Sequence, residues 1–235
     1  MNLSEGLALV TGGSSGIGKE TARLLVSRGA KVVVCGRDRA KLETAAAEIG
    51  AVAIAADVSS ERDVTRLFGG SVAAIEGLNL VVNNAGFGAF RPLRELTVGE
   101  MRSVWETNVL GAMLVAREAA RHFIERGIPG NIVNVASTAA RRGFAGGTAY
   151  VASKFALAGM TECWRAELRG HDIRVMQINP SEVQTEFFAT SGLDRRLSER
   201  KLRGSDIARA IASMLEMEDR ALVTEMTVWA TNPDS

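Results

Sequence analysis

The chain reads as an α/β protein: one Rossmann-type domain over residues 1–235, doubly wound, with a seven-stranded parallel sheet and helices on both faces. Three observations predict this. Short apolar runs alternate with longer segments of helical periodicity along the whole chain. The first apolar run opens directly into a glycine-rich turn and then a helix. Gly12, Asn84, Ser137 and Pro180 each follow a predicted strand, and ligands of such sheets bind at the carboxyl ends of the strands.

The first strand, 7–11, is Leu7-Ala-Leu-Val-Thr11, a short apolar run suited to burial on both faces. Gly12-Gly-Ser14-Ser15-Gly16-Ile17-Gly18 comes next, and a helix over 17–28 starts within it. Glycines there let the backbone turn tightly and approach a pyrophosphate at the helix N-terminus, where free N–H groups and the dipole favour anions. The spacing is Gly-x-x-x-Gly-x-Gly rather than Gly-x-Gly-x-x-Gly. The same reading places strands at 31–35, 52–55, 80–83, 131–136, 174–179 and 222–228. Helices fall at 39–49, 61–75, 99–126, 149–169 and 205–217. Right-handed crossovers between them generate the doubly wound order. The one long irregular stretch, 181–204, has the length of a substrate lid.

Bulk properties narrow the function. With 28 basic and 27 acidic residues the net charge is +1, which argues against nucleic acid as a ligand. No apolar run approaches the ~18 residues of a membrane helix. Residues 1–6 have neither the basic nor the apolar region of a secretory signal, so a cytoplasmic protein is expected. Two cysteines, Cys35 and Cys163, suggest ordinary buried thiols rather than a disulfide or metal site.

The chemistry points to Tyr150 and Lys154, four residues apart in Thr-Ala-Tyr150-Val-Ala-Ser-Lys154, with Ser137 thirteen residues upstream. On a helix, positions i and i+4 share a face. A neighbouring ammonium can lower a phenol from its usual pKa near ~10 by roughly 1–3 units, toward the range where a general acid or base works best.

The cofactor preference turns on the end of the second strand, Val-Val-Val-Cys35-Gly36-Arg37-Asp38. A glycine stands where an acid usually holds the ribose 2′-hydroxyl, and Arg37 suits a 2′-phosphate. This leans to NADP(H). Asp38 as the ribose acid keeps NAD(H) open. Asp57 suits either an adenine-edge contact or a helix cap together with Ser59.

Together these residues resemble the short-chain dehydrogenase/reductase family across nearly the whole chain, with features of the bacterial 3-oxoacyl-acyl-carrier-protein reductase-like branch. Thr11-Gly12-x-x-x-Gly16-x-Gly18, Asn83-Asn84-Ala85-Gly86, Asn108, Ser137, Tyr150 and Lys154 match its motifs in order. The resemblance implies cofactor contacts at Thr11, Gly12, Ser14, Ser15, Gly16, Ile17, Gly18, Arg37, Asp57, Val58, Asn84, Ala85, Gly86, Tyr150, Lys154, Pro180, Val183 and Thr185, and no metal. It implies hydride transfer to or from a carbonyl or carbinol carbon. Tyr150 is the proton donor or acceptor, Ser137 orients the oxygen, Lys154 lowers the tyrosine pKa and holds the ribose, and Asn108 anchors a water.

Two departures stand out. Ser181 replaces the glycine that usually follows Pro180, a strain if positive φ is needed there. Glu225 replaces a glycine of the C-terminal segment that often serves tetramer contacts, leaving a homodimer or a homotetramer as the expected assembly.

The substrate is expected to be a small carbonyl or alcohol, and an acyl thioester is one candidate. Phe87, Phe90, Phe144, Phe187 and Phe188 beside Arg91, Arg141, Arg142, Arg195, Arg196, Arg200, Lys201 and Arg203 suit an apolar pocket with a basic rim; the same residues suit core packing and a solvated face. Other alcohols, hydroxy acids, sterols or sugars remain as alternatives, and a cofactor-binding redox sensor without turnover is the alternative from another class.

Overall fold

A computed structural model describes residues 1–71, 77–187 and 198–231. Its elements are β1 (Leu7–Thr11), α1 (Gly16–Ser27), β2 (Lys31–Gly36), α2 (Arg39–Ile49), β3 (Val52–Ala55), α3 (Glu61–Arg66), β4 (Leu80–Asn83), α4 (Val98–Trp105), α5 (Ala112–Arg126), β5 (Asn131–Val135) and α6 (Thr148–Leu168). After these come β6 (Arg174–Pro180), β7 (Val183–Gln184), β8 (Leu202–Arg203), α7 (Gly204–Leu215) and β9 (Glu225–Val228). Seven strands form one parallel sheet in the order β3-β2-β1-β4-β5-β6-β9, and β7 pairs with β8 in parallel beside it.

Alternation along each strand sends successive side chains to opposite faces. Ala8, Val10, Val32 and Val34 pack against Leu25 of α1, Leu42 of α2 and Ile211 of α7 on one face. Leu9, Val33 and Val81 meet Val64 of α3, with Leu114 and Phe123 of α5, on the other. The sheet is thus buried on both sides, which is why its strands read as apolar runs rather than as an alternating pattern.

Several boundaries differ from expectation. The helix expected over 61–75 is regular only to Arg66 and widens over Leu67–Ser71; residues 72–76 lie outside the described residues. The long helix over 99–126 is continuous but holds one wide turn, Glu106–Gly111, between α4 and α5. The last strand starts at Glu225, three residues later than its apolar pattern suggests. Cys35 is buried as expected, whereas Cys163 is exposed on α6. Of the irregular stretch 181–204, both ends are described and are drawn together by the β7–β8 pairing; 188–197, with Phe188, Arg195 and Arg196, lie outside the described residues.

Candidate active site

The turn after β1 is shaped for close approach by a ligand. Gly12 and Gly16 have φ of +65° and +55°, values that disfavour any side chain. A Cβ on Gly13 would stand 2.5 Å from Val34, and one on Gly18 would stand 2.4 Å from both Asn84 Nδ2 and the Gly12 carbonyl. Ser15 precedes α1 without capping it through its side chain, so its hydroxyl does not occupy the N–H groups of the first turn. These are the properties of a phosphate cradle.

Thr11 and Asn84 hold the cradle open. The Thr11 hydroxyl accepts the N–H groups of Asn84 (3.0 Å) and Ala85 (2.9 Å), while Asn84 Nδ2 donates to the Thr11 (2.9 Å) and Gly12 (3.3 Å) carbonyls. The Asn83-Asn84-Ala85-Gly86 segment therefore staples the glycine turn to the end of β4. Thr185 closes the other side, its Cβ only 3.2 Å from where a Cβ on Gly16 would be.

At the end of β2, Arg37 is exposed. Asp38 accepts the Lys41 N–H at 3.0 Å as the N-cap of α2. A Cβ on Gly36 would meet nothing nearer than Leu42 Cδ1 at 3.6 Å and Ser14 Oγ at 3.9 Å, so space lies between Gly36, Arg37 and Ser14. Asp57 accepts the Ser59 N–H (2.9 Å) and hydroxyl (2.7 Å), but Ser60 rather than Asp57 caps α3. Val58 is buried against Gly111, at the end of the wide turn.

Ser137, Tyr150, Lys154 and Asn108 converge at the ends of β4, β5 and β6. Ser137 starts a short helical turn, accepting the Ala139 N–H at 3.1 Å. Its hydroxyl also hydrogen-bonds Tyr150 and lies 3.5 Å from the Pro180 carbonyl. Lys154 is only 6% exposed and donates to the Val135 carbonyl at 2.8 Å. Burial pushes its ammonium down to about 8. Burial pushes the Tyr150 phenol up to about 12, with the Ser137 hydrogen bond pulling the other way. The expected lowering of the tyrosine by the lysine is therefore not what the protein alone provides: removal from water sets the direction for both groups, and the group that pulls the phenol down is Ser137.

The Asn108 side chain bonds three groups of the protein, with both its N–H donors engaged. Its Oδ1 accepts the Phe87 N–H (3.0 Å), and its Nδ2 donates to the Phe87 carbonyl (2.9 Å) and to the Ser153 hydroxyl (3.0 Å). Ser153 in turn donates to the Tyr150 carbonyl at 2.7 Å. Asn108 sits in the wide turn, a local expansion often found at functional sites. Sequence reasoning missed Ser153, whose signal is its place directly before Lys154 on the helix that carries Tyr150. It also missed the buried relay of Asn83, Asn134 and Thr161 across the sheet, bonded at 3.0 and 2.8 Å. The Ser181 departure carries no strain: among the described residues only Asp172 has positive φ without being glycine. Ser181 N–H instead bonds the Val228 carbonyl at 2.9 Å.

The short chain dehydrogenase profile matches residues 6–196. The chain belongs to the short-chain dehydrogenase family. This short-chain dehydrogenase is thus an oxidoreductase. It is 38% identical over 183 residues to L-xylulose reductase of Caenorhabditis elegans, covering 76% of this chain and 72% of that one. It is 34% identical over 203 residues, 83% of its length, to the uncharacterized oxidoreductase YxnA of Bacillus subtilis, and the match spans 57% of that relative. A 3-ketoacyl-(acyl-carrier-protein) reductase from Brucella melitensis complexed with NADH superposes with a TM-score of 0.88 at 32% identity, covering 96% of this chain and 97% of that one. An alcohol dehydrogenase from the archaeon Thermococcus sibiricus complexed with 5-hydroxy-NADP gives 0.88 at 25% identity over 98% and 99%. Among the described residues no helix is long and apolar enough to cross a membrane, and no group of His, Cys, Asp and Glu is placed to hold a metal.

Proposed function

We propose that this chain is a carbonyl reductase working with a nicotinamide dinucleotide, NADP(H) in preference to NAD(H), with Tyr150 as general acid. The observation that carries the reading is the Ser137–Tyr150 hydrogen bond beside a buried Lys154, at the strand ends next to a glycine cradle. When bound, the dinucleotide supplies the hydride in reduction, or takes it in oxidation. The chain does the rest. As the carbonyl carbon gains the hydride, the carbonyl oxygen takes a proton from the Tyr150 hydroxyl, and Ser137 donates a hydrogen bond to the same oxygen. A phenol held up to about 12 is neutral at pH 7 and so carries the proton it must give. Lys154 adds positive charge beside the phenolate that remains, at an ammonium poised near its own titration range.

Asn108 acts as a positioning residue, fixing Phe87 and Ser153 on either side of the site. Thr11, Gly12, Gly16, Gly18 and Asn84 shape the pyrophosphate cradle, and Thr185 with Val183 borders it. Arg37, Ser14 and the space at Gly36 suit a 2′-phosphate, and Asp38 serves the chain as the cap of α2 through one carboxylate oxygen. NADP- and NADH-bound neighbours support a dinucleotide of this class. The exposed face of α5 and α6, with Trp164 and Ile124 around a groove, suits pairing with a second copy, and a cytoplasmic enzyme acting on a small carbonyl compound fits the whole.

The test is turnover of Tyr150→Phe. The hydroxyl is removed while the ring and the cradle stay, so carbonyl-dependent NADPH oxidation falls by about 10²–10⁴ or more and cofactor affinity stays within about twofold. A retained rate removes Tyr150 from the mechanism. Cofactor binding without turnover of any carbonyl by the wild type supports the redox-sensor alternative instead.

A further inference from the structure

The phenylalanines around Tyr150 specify a kind of substrate, an inference that rests on the reductase reading above. Phe90 follows β4, Phe144 follows β5 and Phe187 follows β7, yet their rings converge. Phe90 and Phe187 each have ring centres 5.5 Å from that of Tyr150. Phe90 lies 6.3 Å from Phe187 and 6.0 Å from Phe144. None of these rings belongs to the three buried apolar clusters that bind the sheet to its helices. Phe144 is 51% exposed. Aromatic surface gathered at a reacting group and left partly open to water is the mark of a ligand wall rather than of core.

The backbone fixes how these rings stand. A Cβ on Gly88 would lie 2.6 Å from Phe90 Cζ, and a Cβ on Gly147 would lie 2.7 Å from Phe144 Cε2. Both rings thus stand against glycine, at a distance where an added Cβ would clash with them. Phe90 meets Tyr150 edge to face at 62°, one of the two geometries that aromatic pairs favour.

Four of the cations at described positions nearby are engaged within the chain, while Arg200 and Arg203 are exposed. Arg91 meets Glu100 at 3.1 Å, Lys201 meets Glu182 at 2.8 Å, and Arg141 is paired with Glu225. The Arg142 guanidinium stacks 4.9 Å over the ring of Trp229. Part of the basic rim expected from the sequence is therefore held by contacts within the chain. A carboxylate or phosphate held by Arg91, Arg141 or Lys201 would share that cation with a carboxylate already there.

We infer that Phe90, Phe144 and Phe187 form beside Tyr150 the wall of a slot for an uncharged ketone or aldehyde bearing an aryl or similarly flat apolar group next to the carbonyl. The experiment is NADPH oxidation with acetophenone, 2-butanone, acetoacetyl-coenzyme A and pyruvate, on wild type, Phe144→Ala and Phe90→Leu. Acetophenone is expected to have a kcat/KM about tenfold or more above 2-butanone, and each variant to cut that ratio by about tenfold. Phe144 is half exposed, so its alanine variant keeps the fold. Saturation-transfer NMR of 1-phenylethanol on the enzyme with NADP+ reads the same slot without turnover, and its signal should drop in both variants. Preference for acetoacetyl-coenzyme A or pyruvate, or a ratio unmoved by both variants, overturns the slot and leaves the reductase reading standing. Turnover of none of the four carbonyls, with no NMR signal, overturns both.

Discussion

The Lys154 ammonium nitrogen lies 5.7 Å from the centre of the Tyr150 ring and donates its hydrogen bond to the Val135 carbonyl. The two residues are neighbours on one helix face, as their spacing requires, but each is shifted toward its neutral form by burial. The pair is therefore a device in waiting, whose protonation depends on whatever charge enters beside it.

This is directly measurable, because Tyr150 is the only tyrosine in the chain. Ultraviolet absorbance then reports its ionisation without labelling. Ionisation of the protein alone is expected near pH 12. Saturating NADP+, which brings a positive nicotinamide, should move the midpoint down by one unit or more, toward the general-acid range. An unchanged midpoint would show that the cofactor does not reach the phenol.

Lys154 carries a stability cost that can be removed. Its pKa falls from 10.5 unfolded to about 8 folded. Such a depressed group favours folding above pH 10.5, and that contribution is lost as pH falls through about 8. Lys154→Met is thus expected to raise stability at pH 7 by up to about 3 kcal/mol while abolishing turnover. The gain should shrink as pH rises from 8 toward 10.5. Thermal melts at pH 7 and pH 10 check both parts, and a gain that grows with pH contradicts the assignment.

Arg37→Ala tests the cofactor preference. Fluorescence titration should show NADPH binding tighter than NADH in the wild type. The variant loses about tenfold or more for NADPH with little change for NADH, since a charged hydrogen bond is worth about 1.5–3 kcal/mol. Equal binding of the two by the wild type would return the ribose contact to Asp38.

Gly18→Ala should fail for a steric reason. The added methyl would stand 2.4 Å from both Asn84 Nδ2 and the Gly12 carbonyl, and backbone cannot move aside cheaply. A loss of about 1–3 kcal/mol in urea unfolding is expected, with NADPH affinity falling with it.

The strands were legible because a sheet packed between helices leaves continuous apolar runs, and four of the seven main strands show this from Leu7, Val32, Val52 and Leu80. The chemistry of Ser137, Tyr150 and Lys154 was legible because spacing on a helix sets which groups share a face. Other properties were not. Whether Arg141 is a free cation depends on Glu225, 84 residues away, and no local pattern records that pairing. The ionisation of Tyr150 is equally hidden, because it is decided by how much water the assembled loops exclude. The small β7–β8 pair escaped because two-residue strands leave no periodicity to read.

The pairing of Glu225 has a consequence for the order in which the enzyme comes into being. Strands β1 to β3 are made early and pair with one another, and the glycine cradle gains its Asn84 and Ala85 staple once β4 has followed them. The other half waits. β9 is the edge strand beside β6, and Glu225 within it holds both Arg141, four residues beyond Ser137, and Asn179. Until that strand is synthesised, β6 presents an open edge and the Ser137 turn lacks its anchor. A chain lacking β9 is thus expected to leave the Ser137 side of the site unanchored, and its exposed β6 edge is where a stalled or truncated copy would first stick to another.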